Sequence, residues 1–296
     1  MKKITVLAPA KINLFLDVCA RRPDGYHDIE SVMQTVTLFD RVEIVKCDET
    51  TEAHLDVFCR DNAVPSGEGN IVSRAAKAFF AHVNIPVYRV DFSIDKKIPV
   101  EAGLGGGSAD AAAAIIGLDR LYETKLSIEE MCKIGVTVGA DVPFCIQKGT
   151  ATAEGIGEIL TSCPPMPDCA FLIAMPAGSK ISTAEAYRKI DAMPSVPHAT
   201  LADALSALRA CDLEALSRAL YNKFEAVTPE ETGTALLREK MLDLGAVGAR
   251  MSGSGPSVFG IFRTAAEAKR AAEAFDGEVR VFICAPCRAE ASPFEL

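Results

Sequence analysis

"PVEAGLGGGSADAAAAI", residues 99–115, places four glycines within five positions, Gly103 to Gly107, and then runs into a stretch that strongly favours helix. Glycine loses more freedom on ordering than any other residue, so this density belongs where the backbone takes unusual dihedrals or a ligand comes very close. The first turn of the following helix leaves backbone N–H groups unpaired and carries the positive end of the helix dipole. Ser108 or Asp110 could supply oxygens in that turn. The arrangement suits a phosphate group. A glycine turn feeding a tightly packed alanine helix is the alternative.

Spacing separates this loop from other phosphate loops. Counted from Gly103 and Gly105, the third glycine of a GxGxxG fingerprint would fall on Ser108, so the dinucleotide signature is incomplete. The GxxxxGK[ST] loop lacks its lysine here, and GxSxG is absent because Asp110 stands two residues after Ser108. A glycine phosphate loop of another lineage remains.

The chain has 296 residues, 49% of them hydrophobic, enough for one large domain or two of ordinary size. A net charge of −9 and a pI near 5.1 argue against a broad nucleic-acid surface or binding to anionic membrane. They leave room for a small phosphorylated ligand in a local pocket of lysines and backbone N–H groups. The start "MKKITVLAPA" has basic and apolar parts, but Pro9 and Lys11 interrupt it, so no signal peptide is expected. No apolar run approaches the roughly 18 residues of a membrane span. Ten scattered cysteines fit reduced thiols, which points to the cytoplasm. Cys284 and Cys287 form a CxxC, without the following helix start or the second cysteine pair that a redox or zinc role needs. No metal-ligating side-chain set is read from the sequence.

Short β-branched or alternating runs, "KINLFLDV", "DRVEIV" and "HLDVFC", read as strands. "NIVSRAAKAFFAHVN" reads as a helix capped by Asn70, and "YRVDFSID" returns to strand alternation. The glycine loop, its helix and a further helix starting near Ser127 follow. "CPPMPDC", residues 163–169, breaks any regular element and divides the chain into domains 1–162 and 163–296. The second domain reads as α+β. Its strands are "AFLIAMP", "GAVGARM", "SVFGIF" and "GEVRVFICA", and its helices include "TAEAYRKI", "LADALSALRA", "LEALSRAL" and "AAEAKRAAEAF". Antiparallel pairing with helices on one face is expected.

Three further stretches carry chemistry. In "APAKINLFLDV", Lys11 and Asn13 alternate on a strand and leave the same face, either toward a ligand or toward solvent. In "GADVPFCIQKGT", Asp141 sits in a turn-like setting between helix and strand. It is either a cap or a group that accepts or orients a hydroxyl for attack on a γ-phosphoryl. "MSGSGPSVFG", residues 251–260, is either a plain hairpin turn or a second small-residue wall of the same pocket.

Together these motifs resemble those of the GHMP kinases, with "APAKINLFLDV", "PVEAGLGGGSADAAA" and "MSGSGPSVFG" in the three motif positions and similarity over nearly the whole length. Within that superfamily, "RRPDGYHDIES" resembles the branch that phosphorylates the 2-hydroxyl of 4-diphosphocytidyl-2-C-methyl-D-erythritol in non-mevalonate isoprenoid synthesis. That branch uses such a tyrosine and histidine for cytosine. Tyr26 offers a π-face for stacking and His27 a hydrogen-bonding edge.

The resemblance implies an α+β, two-domain fold. An N-terminal ATP domain like domain 2 of ribosomal protein S5 would join a ferredoxin-like C-terminal domain, with substrate in the cleft between them. It implies ATP with Mg²⁺, the nucleotide being held by Pro99, Gly103, Leu104, Gly105, Gly106, Gly107, Ser108 and Ala109, with Asn70, Lys96 and Asp110 nearby. Asp141 would be the base, and Lys11 would stabilise charge beside the attacked phosphoryl group. Asn13, Tyr26 and His27 would hold the cytidylyl substrate, with Tyr187 closing over the base. Two residues depart from the pattern. Ala109 follows Ser108 where many relatives have a second serine, and Glu101 puts a carboxylate near the polyphosphate. The rival readings are a GHMP kinase for mevalonate, homoserine or a sugar, and a non-catalytic ligand-binding homologue.

Overall fold

The computed structural model describes residues 2–47, 54–61, 63–86, 89–176, 182–193 and 200–293. Two long strands, β1 (Lys2–Arg21) and β2 (His27–Cys47), pair antiparallel from Lys2 opposite Lys46 to Arg21 opposite His27. They absorb two of the short runs into one ribbon. The ladder shifts register between Pro9 and Lys11 and again between Asn13 and Phe15. A proline cannot donate to the ladder and is tolerated at such irregularities, which re-aim neighbouring side chains. Lys11 and Asn13 lie between the two shifts.

β3 (Leu55–Cys59) and β4 (Arg89–Asp95) extend the sheet beyond one half of β2, while β5 (Thr150–Glu154) and β6 (Ile159–Ser162) extend it beyond the other. Tyr88, the first residue of the run expected as β4, lies outside the described residues. Four helices accompany this sheet: α1 (Ile71–Val83), α2 (Gly106–Tyr122), α3 (Ile128–Val136) and α4 (Val142–Gln147). Asn70 caps α1 and Ser127 caps α3, as their side chains suggest. α2 is buried on nearly every side. At Gly117 a Cβ would come within 2.3 Å of Ile44 Cδ1, so glycine there lets α2 lie directly on the sheet. α4 fills the place read as a turn before a strand.

The second half contains β7 (Ala170–Met175), α5 (Thr183–Asp191), α6 (Leu201–Ala210), α7 (Leu213–Ala219), β8 (Tyr221–Asn222) and α8 (Thr234–Asp243). It continues through β9 (Gly248–Met251), β10 (Val258–Phe262), α9 (Ala265–Ala272) and β11 (Arg280–Cys284). Strands β11, β7, β10 and β9 form, in that order, a sheet in which every neighbour is antiparallel. The sequence β7–α8–β9–β10–α9–β11 is the expected ferredoxin-like arrangement, with α5, α6, α7 and β8 inserted in its first crossover. Side-chain alternation splits β7 between two cores: Leu172 and Ala174 pack under α8 and α9, while Phe171 and Ile173 face the core shared with α6, α7 and the first sheet. α8 escapes the sequence reading because its apolar residues do not form one stripe; Leu236 and Leu242 face solvent.

Later segments return to the first sheet. β8 pairs parallel with β1 through Phe15 and Leu16, Pro286 bridges Val36, and Cys287 N–H donates to the Thr35 carbonyl at 2.8 Å.

Candidate active site

Gly105, in the left-handed region at φ 69°, is the N-cap of α2 and offers no side-chain cap. The first N–H groups of the helix therefore have no side-chain acceptor and face the loop. Neither Ser108 nor Asp110 caps the helix. Gly103, at φ 77°, is pressed against the third motif, and a Cβ there would sit 2.1 Å from the Ser252 carbonyl oxygen. Ser252 Oγ donates to the Gly103 carbonyl at 2.9 Å, and Ser257 N–H donates to that of Ala102 at 3.2 Å. The two small-residue loops, about 150 residues apart in sequence, thus touch through main chain.

Lys11 N–H donates to the Leu104 carbonyl at 2.9 Å, tying β1 to the same loop. Its aliphatic stem lies under Gly105, where a Cβ would come within 2.9 Å of Lys11 Cγ. Lys11 Nζ donates to Asn13 Oδ1 at 2.9 Å and stands 3.3 Å from Asp141 Oδ2. Asn13 Nδ2 donates in turn to Ser31 Oγ at 2.9 Å, which fixes the amide's orientation. Asp141 is the residue before α4 but makes no capping hydrogen bond. Its carboxylate turns to Lys11, so the cap alternative does not describe it.

A cavity of about 520 Å³ lies on one side of the glycine loop, within the range of small-ligand sites. Pro99, Gly103, Gly105, Gly106, Gly107, Ser108, Asn70, Lys96 and Asp110 line it. Leu104 and Ala109 do not; the first is buried behind the loop and the second lies within α2. Asn70 is committed to structure as well, since Oδ1 accepts from Val72 N–H at 2.8 Å and Nδ2 donates to the Pro65 carbonyl at 2.7 Å. Lys96 Nζ pairs with Asp110 Oδ2 at 2.8 Å and with Asp40. Burial alone would lower the Lys96 ammonium, but Asp110 and Asp40 outweigh it and hold it above its ordinary range. Asp40 was not singled out in the sequence, where it sits in an unremarkable "LFDRVE". Glu101 is exposed, has a left-handed backbone at φ 55°, and lies on the cavity wall.

On the other side of the loop a cavity of about 340 Å³ is lined by Lys11, Asn13 and Asp141 together with Tyr187, Phe224, Gly253 and Ser254. The two cavities share Gly103, Gly105 and Ser108. Burial, and then Asp141, push the Tyr187 phenol up to about 12, so it is neutral near neutral pH. His27 stacks on Tyr187, with ring centroids 4.6 Å apart and an interplanar angle of 14°. His27 Nε2 lies 2.7 Å from Asp191 Oδ1. A carboxylate can only accept, so Nε2 carries the hydrogen. Asp191 ends α5, and no motif in the sequence announced it. Tyr26 is 61% exposed at the tip between β1 and β2 and does not line this cavity.

Two family descriptions match the chain, "GHMP kinases N terminal domain" over residues 70–149 and "GHMP kinases C terminal" over residues 204–280. The 4-diphosphocytidyl-2-C-methyl-D-erythritol kinase of Pelobacter propionicus is 45% identical over 274 residues, covering 92% of this chain and 94% of that one. The protein of the same name from Geobacter metallireducens is 40% identical over 286 residues, covering 96% and 98%. Among solved structures, a 4-(cytidine 5'-diphospho)-2C-methyl-D-erythritol kinase superposes with a TM-score of 0.77 at 31% identity, covering 95% of this chain and 98% of that one. A homoserine kinase from Cytophaga hutchinsonii shares the fold, with a TM-score of 0.73 at 19% identity over 97% and 96% of the two chains.

Proposed function

The chain belongs to the GHMP kinases, and on that premise we infer that it transfers the γ-phosphoryl group of ATP to the 2-hydroxyl of 4-diphosphocytidyl-2-C-methyl-D-erythritol, releasing ADP. The product belongs to isoprenoid precursor synthesis. One observation carries this reading: two cavities meet across Gly103, Gly105 and Ser108, and the Lys11–Asp141 pair lies on the acceptor side of that junction. A phosphate tail in the larger cavity would meet unpaired N–H groups of α2. An alcohol in the smaller one would meet a carboxylate and an ammonium.

The residues fit ATP because the glycine cradle leaves the space that side chains would fill. Gly107 lines the larger cavity, and a Cβ there would meet nothing nearer than Ile71 Cγ2 at 3.8 Å. Main-chain donors from Gly105 onward hold the phosphates, and Asp141 takes or orients the acceptor proton. Lys11 balances the charge that spreads over the transferring group, and Asn13 fixes Lys11. Among the described residues no group of three or more His, Cys, Asp or Glu makes a cation site. Mg²⁺ would therefore be held mainly by the phosphates, with Glu101 the exposed carboxylate on that wall. It would supply further neutralisation of charge. His27, Tyr187 and Tyr26 serve the cytidylyl end. The domain division at 162 and 163 and a cytoplasmic location are part of the same proposal. No described helix is long and apolar enough to cross a membrane.

The decisive experiment couples ADP release to the cytidylyl substrate. Asp141→Asn is expected to lower kcat by about 10²–10⁴-fold while ADP affinity holds. Near-normal turnover would remove Asp141 from the mechanism, and turnover with mevalonate or homoserine instead would replace the acceptor.

A further inference from the structure

Beneath the glycine loop lies a charged cluster that phosphoryl transfer does not use. Asp40 on β2 and Asp110 on α2 share the one ammonium of Lys96, and the three side chains are 0%, 3% and 5% exposed. Asp40 has further donors, since its Oδ1 accepts from Lys97 N–H at 2.6 Å and Ile98 N–H at 2.8 Å. Asp110 has no such donors, and its Oδ1 is buried without a partner. Two carboxylates against one ammonium leave an uncompensated buried negative charge, which is costly. A proton on Asp110 removes it.

We propose that Asp110 is a neutral carboxylic acid in the nucleotide-binding form, so that the buried Asp40–Lys96–Asp110 cluster carries no net charge beneath the phosphates. The proposal rests on the nucleotide reading of the larger cavity, whose wall includes Lys96 and Asp110. With the proton in place the cluster does not oppose a polyphosphate. Once Asp110 ionises, a negative charge stands under it in a poorly screened site. Asp110 thus acts as a positioning residue, through charge rather than contact. Burial raises its carboxyl to about 8, with Lys96 pulling it down and Asp40 pushing it up. Cys59 on β3 and Cys145 on α4 also feel Asp110, and burial holds both thiols above their ordinary range. Arg74 and Glu101 are the other charged side chains on the cavity wall.

ADP with a fixed excess of Mg²⁺ is titrated calorimetrically into the full chain from about pH 7 to about pH 9.5. The wild-type protein is expected to lose affinity roughly fivefold or more across that range, and to take up a proton on binding near the top of it. Proton uptake is read from the difference in heat between two buffers of different ionisation enthalpy. Asp110→Asn removes the titrating group, and Asp40→Asn removes the competing carboxylate; each is expected to flatten the dependence on pH. Wild-type binding that is flat with pH and takes up no proton overturns the proposal, as does a slope that survives in both variants. Absence of ADP binding at every pH overturns the nucleotide reading and this proposal with it.

Discussion

Where the glycine loop meets the third motif, contact runs through main chain, from Ser252 and Ser257 to the carbonyls of Gly103 and Ala102. Around His27 it runs through side chains, a ring stacked on Tyr187 and a hydrogen bond to Asp191 from 164 positions away. The first arrangement depends on shape and hardly on side-chain chemistry, because any Cβ displaces backbone. The second depends on chemistry and tolerates shape. On the proposed reading the first meets a phosphate tail, alike in every nucleotide, and the second meets one base that must be told from another.

The sharpest way to break this contrast is Gly103→Ala, which sets a methyl 2.1 Å from the Ser252 carbonyl oxygen in a left-handed residue. We expect a stability loss of about 3 kcal/mol or more, combining overpacking with backbone strain. ADP affinity is expected to fall more than about tenfold. Thermal denaturation and ADP titration measure the two, and near-wild-type values for both would show that the loops are free to part.

Asp191→Asn tests the other region with a smaller effect. Losing a charge-assisted hydrogen bond to His27 is expected to raise KM for the cytidylyl substrate by about fivefold to tenfold. KM for ATP should not move. Initial rates with each substrate varied separately distinguish this from general damage, which would move both.

The last prediction concerns Asp110 and stability. Its folded carboxyl, raised to about 8, holds a proton more tightly than an unfolded one near its ordinary value of about 3.9. Rising pH therefore removes stability progressively through that interval, up to about pH 8. Asp110→Asn has no such loss, so its Tm relative to wild type should rise by about 2 °C or more between pH 5 and pH 9. A constant difference would mean that the carboxyl does not titrate in this interval.

The same contrast explains what could be read from the chain alone. Glycines at 103 and 105–107 announce a main-chain site because that composition has few other uses, and the caps Asn70 and Ser127 announce helix starts. The four strands of the second sheet show as β-branched or apolar runs, and the family resemblance implied that Lys11 and Asp141 serve the same phosphoryl group, while their pairing is seen only in the structure. Asp40 and Asp191 gave no signal, since one aspartate among many acquires meaning only from a partner brought by folding. The strand expected after Asp141 has no legible start, because the "TATAE" of β5 buries small residues rather than a strong apolar alternation.

β8 and the stretch around Pro286 cross back onto the first sheet, so the first half of the chain wears strips of the second. A polypeptide stopped at Ser162 would be born with the outer flank of β1 uncovered along Phe15 and Leu16, and with the apolar side that faces α6 and α7 exposed to water. During synthesis the first half must therefore wait for the second. The returning segments tie the two halves together through main chain.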